Sequence, residues 1–240
     1  MSRTIILIYG VLSYFIGVAG LLSIIAVLGR FVPYGYLWGG EAIAVNAIAW
    51  NFALVAIWGF FHSYMARPSF KAKLTKIIPE PAERPTYVLV AGITSLLMTG
   101  LWINIPGVIW TAEGSLIIYA LLGVFWFGWA FTFASTFAIN HFDLFGLRQV
   151  YIHFREQPRP PLTFVKRAMY KYIRHPIQTG VMIGIWATPL MTNTQIILSL
   201  GFTAYIFTGL WFEERDLIRE HGEDYLAYKK EAGMLVPKIG

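Results

Sequence analysis

Long apolar stretches with almost no charge in them limit what this chain can fold into more than any motif does. Four of them fall at Ile5–Leu28, Ile43–Ala66, Tyr87–Ile103 and Leu116–Ile139. Crossing the hydrocarbon of a bilayer takes ~20 apolar residues in a helix. In lipid every backbone polar group must also be bonded within the segment. A fifth apolar region, Ile177–Phe212, is too long for one crossing and is broken by Pro189 and the polar run Met191-Thr192-Asn193-Thr194-Gln195. Proline removes a backbone donor and ends a helix. The region therefore predicts a helical hairpin with a tight turn and a short first arm. The first apolar stretch is longer than a signal-peptide core and lacks a small-residue cleavage site, so it is expected to be retained.

The expected fold is an all-α integral membrane protein of five or six transmembrane helices, the last two forming a helical hairpin. The expected organisation is a single domain. Residues 1–139 form a four-span bundle, and residues 140–240 carry an interfacial loop, the hairpin and a cytoplasmic C-terminal region. The segment Asn140–Tyr172, with Pro158, Pro160 and Pro161, reads as an interfacial loop with short amphipathic helices.

Charge sets the orientation. Only 13% of the 240 residues are charged, where a soluble domain carries roughly 25%. Of the 19 Lys and Arg residues, 18 (all but Arg30) lie on one side if the spans alternate. The positive-inside rule then puts both termini and both long loops in the cytoplasm. The net charge of +6 sits between apolar segments, so anionic lipid is the expected partner rather than nucleic acid. With no cysteine, there is no disulfide framework, thiolate metal site or cysteine nucleophile. A phosphate loop, a zinc HExxH helix, a GxSxG elbow and a GxGxxG turn are all missing from the sequence. No inverted repeat of the transporter kind is visible.

Three polar clusters stand at the cytoplasmic ends of the spans. His62 closes the second, and His141 and Asp143 follow the fourth. Arg174-His175-Pro176 precedes the hairpin, and Glu213-Glu214-Arg215-Asp216 follows it. A hairpin joins its own ends, so Arg174 and His175 are expected beside Glu213 and Glu214. Taken singly, each cluster is as well explained by an interfacial histidine or a solvated helix face. Their convergence on one bilayer face is what suggests a site. The histidine spacing defines no metal site. Placed on two helices, however, His62 and His141 are also able to ligate haem, which leaves a haem-binding membrane protein as the alternative.

Arg174-His175-Pro176, Gly180, Glu213-Glu214, Gly222, Tyr225, Tyr228 and Pro237 resemble the C-terminal signature of the isoprenylcysteine carboxyl methyltransferase and phospholipid methyltransferase superfamily. Gln178 departs from it, standing where that signature has Tyr. His62 through Pro68, with Glu83-Arg84-Pro85-Thr86-Tyr87-Val88-Leu89, looks like the N-terminal half of NnrU-type membrane proteins. Asn140 through Gln149, Trp186-Ala187-Thr188-Pro189, Met191-Thr192 and Glu213 through Leu217 together resemble the methanethiol S-methyltransferase family.

That resemblance implies methyl transfer from S-adenosylmethionine to methanethiol, giving dimethyl sulfide and S-adenosylhomocysteine. It implies a cytoplasm-facing cofactor pocket drawn from Tyr172, Arg174, His175, Pro176, Gln178, Gly180, Glu213, Glu214 and Tyr225, with Tyr228 a weaker candidate. A guanidinium suits the cofactor's carboxylate and a Glu its ribose diol. One Glu is expected on the cofactor and the other on an Arg. The acceptor must react as a thiolate, so His62 or His141 is the expected base, with Asp143 to orient an imidazole. A prenylcysteine or a lipid amine is the alternative acceptor. The expected partners are a small volatile thiol and membrane lipid, with no obligate protein partner.

Overall fold

In the computed structural model, residues 2–38, 44–158 and 166–238 are described. Ile43, Pro160 and Pro161 of the expectations above lie outside them. The fold is mostly helical. Four helices among the described residues are long and apolar enough to cross a membrane: Arg3–Leu28, Asn46–Ala66, Ser115–Ile139 and Asn193–Glu231. The chain gathers into two compact units, Met1–Pro106 with His141–Leu162, and Gly107–Asn140 with Thr163–Gly240. These do not coincide with the halves 1–139 and 140–240: Ser115–Ile139 falls in the second unit and His141–Phe154 in the first.

The first unit holds α1 (Arg3–Leu28), α2 (Ala44–Ala66), α3 (Pro68–Leu74), α4 (Glu83–Gly100), α6 (His141–Leu144) and α7 (Leu147–Phe154). Lipid tails are as apolar as leucine, so helices there need close backbones and polar pairs to associate. Both devices are present. A Cβ on Gly20 of α1 would lie 2.6 Å from the Gly92 Cα of α4, so only glycine permits this approach. Trp58 of α2 donates from Nε1 to Ser95 Oγ of α4 at 2.9 Å. Asn51 donates to the Ile103 carbonyl at 2.8 Å and accepts from the Ile103 amide at 2.9 Å. That clamp holds the chain after Gly100 in a non-helical course. Helix α4 thus begins at Glu83 and stops at Gly100, where the sequence suggested Tyr87–Ile103.

The second unit holds β1 (Val108–Thr111), α5 (Ser115–Ile139), α8 (Pro176–Trp186), β2 (Leu190–Thr192) and α9 (Asn193–Glu231). A 3₁₀ turn, Ala168–Lys171, precedes α8. Gly180 of α8 faces α5, where an added Cβ would meet Thr132 Oγ1 at 2.3 Å and the Gly128 carbonyl oxygen at 2.5 Å. At 11 residues, α8 is about 16 Å long, short of the ~30 Å hydrocarbon core. The chain then leaves the helix through Ala187–Pro189, and β2 pairs antiparallel with β1.

The helical fold carries one short two-stranded ribbon, where backbone groups freed around Pro189 find partners, and the Ala112 amide bonds the Pro189 carbonyl at 2.7 Å. One expectation is corrected here: the run Met191–Gln195 is not itself the turn. It supplies β2 and, with Thr192 accepting from the Gln195 amide, the N-cap of α9.

From there α9 runs back past α8. Ser199 Oγ reaches the Ile185 carbonyl at 2.7 Å, and Trp186 Nε1 reaches Thr203 Oγ1 at 3.0 Å. Gly222, at φ +54°, breaks α9 and turns its last two turns into a separate short segment. That conformation is costly for any residue with a Cβ.

Candidate functional site

The end of α9 and the start of α8 bring together the residues expected to meet. Arg174 donates from Nε to Glu214 Oε1 at 2.8 Å, and its Nη2 lies 2.7 Å from the same oxygen. His175 Nε2 stands 3.3 Å from Glu214 Oε1, and His175 Nδ1 lies 3.8 Å from Glu213 Oε2. Lys229 approaches from the other side, donating to Glu214 Oε2 at 2.6 Å. Both oxygens of one buried acid are therefore held by cations and an imidazole. Arg174 also donates from Nη1 to the carbonyls of Ala232 and Lys229. This guanidinium is committed inside the protein.

The two neighbouring acids thus have different lives. Glu214 is buried and tied by three side chains, whereas the Glu213 side chain is 50% exposed. Of the two acids, Glu214 is the one that pairs with Arg174.

The rest of the expected pocket is distributed around this pair. Pro176 opens α8 at its first turn, where a missing N–H costs nothing. Thr179 Oγ1 donates to the Leu235 carbonyl at 2.7 Å. The Arg174 and His175 amides bond the Gly233 and Met234 carbonyls at 2.8 and 3.1 Å, strapping the C-terminal segment across this helix start. Tyr225 and Tyr228 are buried, and Tyr228 donates to the Tyr170 carbonyl at 2.5 Å. Burial pushes the Tyr170 phenol up, with Glu213 and Tyr228 adding to the shift. Tyr172 is exposed, Gln178 is half-buried, and Gly180 is occupied by packing against α5.

His62, His141 and Asp143 belong to the first unit, and each histidine has a tyrosine. His62 Nε2 lies 2.9 Å from Tyr87 Oη, with its ring stacked on Trp58 at 4.9 Å. His141 Nε2 lies 3.0 Å from Tyr14 Oη, with its ring 4.7 Å from Phe145. Burial lowers the His141 pKa, which favours the neutral imidazole. Asp143 accepts from Arg148 at 2.5 Å. No group of three His, Asp or Glu side chains arranged for a metal ion occurs among the described residues.

Sequence reasoning missed Lys229, Tyr87 and Tyr14. Lys229 reaches Glu214 only because Gly222 redirects the helix, and a lone glycine among polar residues does not announce that. The tyrosines come from other helices, 25 and 127 positions from their histidines. The pairing of two helix-end histidines with aromatics of the neighbouring spans was the available signal.

Over its whole length the chain aligns with the methanethiol S-methyltransferase of Crocosphaera subtropica, at 39% identity over 244 residues, covering 100% of this chain and 94% of the relative. The chain belongs to the methanethiol S-methyltransferase family. The enzyme of that name from Mycobacterium tuberculosis is 39% identical over 240 residues, covering 99% of this chain and 98% of the relative. That of Pseudomonas deceptionensis is 38% identical over 186 residues, covering 78% and 71%. The phospholipid methyltransferase family model matches residues 114–224. In this member of the methanethiol S-methyltransferase family, that match runs from α5 through Arg174, His175 and both acids. The family likeness continues through the first unit, where the two histidines stand. No solved structure matches the chain.

Proposed function

We propose that the chain is an S-adenosylmethionine-dependent thiol S-methyltransferase of the cytoplasmic membrane that converts methanethiol to dimethyl sulfide. The carrying observation is the joined cluster of Arg174, His175, Glu213 and Glu214. It occurs in a chain whose full-length relatives are named for that reaction.

The donor set fits the cofactor. Glu213 offers an open carboxylate to a ribose diol. The N-terminus of α8 after Pro176 favours an anionic group. Tyr172, Gln178 and the buried Tyr225 supply wall around these ends. Arg174 and Lys229, both spent on Glu214, place the acids rather than grip the ligand, and His175 spans the two acids. When bound, S-adenosylmethionine supplies a methyl group on a sulfonium, open to in-line displacement by a thiolate.

A thiol of pKa ~8.5 or above is largely protonated near neutral pH, so the acceptor's proton needs a base. His62 and His141 are assigned that role. Asp143, paired with Arg148, steadies the turn that carries His141.

The whole chain works as one membrane methyltransferase domain. The crossings number six, counting α4 and an arm made of α8 with Ala187–Thr192. Both termini and the cofactor site lie on the cytoplasmic side, and the small apolar thiol arrives from the lipid. Cells expressing the chain and fed methanethiol are expected to release dimethyl sulfide into the headspace. Release no greater than from cells lacking the chain would contradict the reading.

A further inference from the structure

The segment Glu83–Tyr87 has no part in the reading above, yet each of its residues is committed to a contact in the first unit. Glu83 lies 3.9 Å from Lys71. Arg84 donates from Nε to the Leu144 carbonyl at 2.7 Å, at the end of the short helix that begins with His141. Its guanidinium lies 4.7 Å over the Tyr87 ring. Pro85 packs against Gly146, where a Cβ would fall 2.8 Å from the proline ring. Thr86 shares a 2.7 Å hydrogen bond with Tyr9 of α1. Tyr87 holds His62 at 2.9 Å.

This one helical turn therefore touches both histidine sites. On one side a phenol fixes a ring nitrogen of His62, whose other face is covered by Trp58. Trp58 is itself anchored to Ser95, two turns along the same α4. On the other side the Arg84 guanidinium, through Nε, holds the carbonyl end of the turn that presents His141 and Asp143. The bond a histidine makes at one nitrogen decides which tautomer it holds and where its ring points.

We propose that Tyr87 and Arg84 are positioning residues for thiol deprotonation, Tyr87 acting on the His62 imidazole and Arg84 on the His141–Asp143 turn. The inference rests on the assignment of the histidines as bases. In the step served, the thiol S–H bond breaks, its proton passes to an imidazole nitrogen, and the sulfur keeps the electron pair for the new S–CH₃ bond. For Nδ1 of His62 to take that proton, Nε2 carries the ring N–H and donates it to the Tyr87 oxygen. Tyr87 and Arg84, both from α4, face His62. Tyr14 of α1 faces His141, and Asp143 and Arg148 share its loop.

The test compares Tyr87→Phe, Arg84→Lys, His62→Ala and His141→Ala in the full-length protein in detergent. It reads kcat, KM for methanethiol, the pH–rate profile, and the imidazole ¹⁵N shifts of His62. Tyr87→Phe and Arg84→Lys are each expected to lower kcat about tenfold, with KM within about twofold, and to move the acidic limb of the profile. Tyr87→Phe is also expected to replace a single His62 tautomer by a mixture, a readout that needs neither cofactor nor turnover. Full activity in both histidine variants would overturn the assignment of the bases, and this inference with it. Loss in the histidine variants with unchanged kcat, profile and ¹⁵N shifts in Tyr87→Phe would overturn the positioning role alone. Should Arg84→Lys fail to fold, the ¹⁵N comparison of Tyr87→Phe with wild type decides the matter.

Discussion

The two regions that carry candidate chemistry are built on opposite principles. Around Glu214, four charged or titratable side chains from the turn before α8 and both parts of α9 lock into a network with a single buried acid at its centre. Around His62 and His141, each imidazole has a neutral phenol and an aromatic face. Removing one partner of a buried charge pair costs about 3–5 kcal/mol, whereas losing one neutral hydrogen bond costs about 1–3 kcal/mol. The charged cluster thus holds the fold of its unit, and its neighbour Glu213, proposed above to meet the ligand, is half exposed. The two histidine sites are built instead from neutral hydrogen bonds and ring contacts.

Breaking that contrast begins with the acid at the hub. Glu214→Ala strands Arg174 and Lys229 and is expected to cost about 3–5 kcal/mol, read as a lower midpoint of thermal unfolding in detergent. Next, Gly180→Val drives a side chain into Thr132 and the Gly128 carbonyl, with an expected cost of about 1–3 kcal/mol by the same measurement. Such a loss would mark Gly180 as a packing glycine rather than a ligand contact.

Glu213→Gln separates the neighbours. It should leave the unfolding midpoint unchanged while S-adenosylmethionine binding, by calorimetry, weakens about tenfold, or ~1.4 kcal/mol. Equal damage to stability from Glu213→Gln and Glu214→Gln would erase the distinction between them.

The smallest effect belongs to His141. Its folded pKa is lowered by burial, so the fold favours the neutral ring. That contribution is fully present above the unfolded value of about 6.5 and is lost as pH falls through it. Between about pH 7.5 and about pH 5.5, wild type should lose up to roughly 1 kcal/mol more stability than His141→Phe.

Much of this was readable in the chain, for reasons that differ by region. Apolar length alone located Arg3–Leu28, Asn46–Ala66 and Ser115–Ile139, three of the four helices long and apolar enough to cross a membrane, since the bilayer sets one dimension and a helix has one rise per residue. The meeting of Arg174 and His175 with Glu213 and Glu214 followed from a proline-interrupted apolar stretch returning on itself. What escaped depends on backbone detail that no periodicity encodes. The β1–β2 ribbon is two short segments with no alternating pattern, made necessary by groups freed at Pro189. The end of α4 is set by Asn51 of another helix. Lys229 enters the cluster through the positive φ of Gly222. Tyr87 and Tyr14 are apolar-span residues by sequence, and only packing turns them toward a histidine.

The central claim is that this chain moves a methyl group from a sulfonium to a small thiol. The direct measurement supplies the purified protein with methanethiol and S-adenosylmethionine bearing a ¹³C methyl, then analyses the headspace by mass spectrometry. The account predicts dimethyl sulfide with one labelled methyl per molecule, matched by S-adenosylhomocysteine. Folded protein that yields no labelled dimethyl sulfide would contradict it.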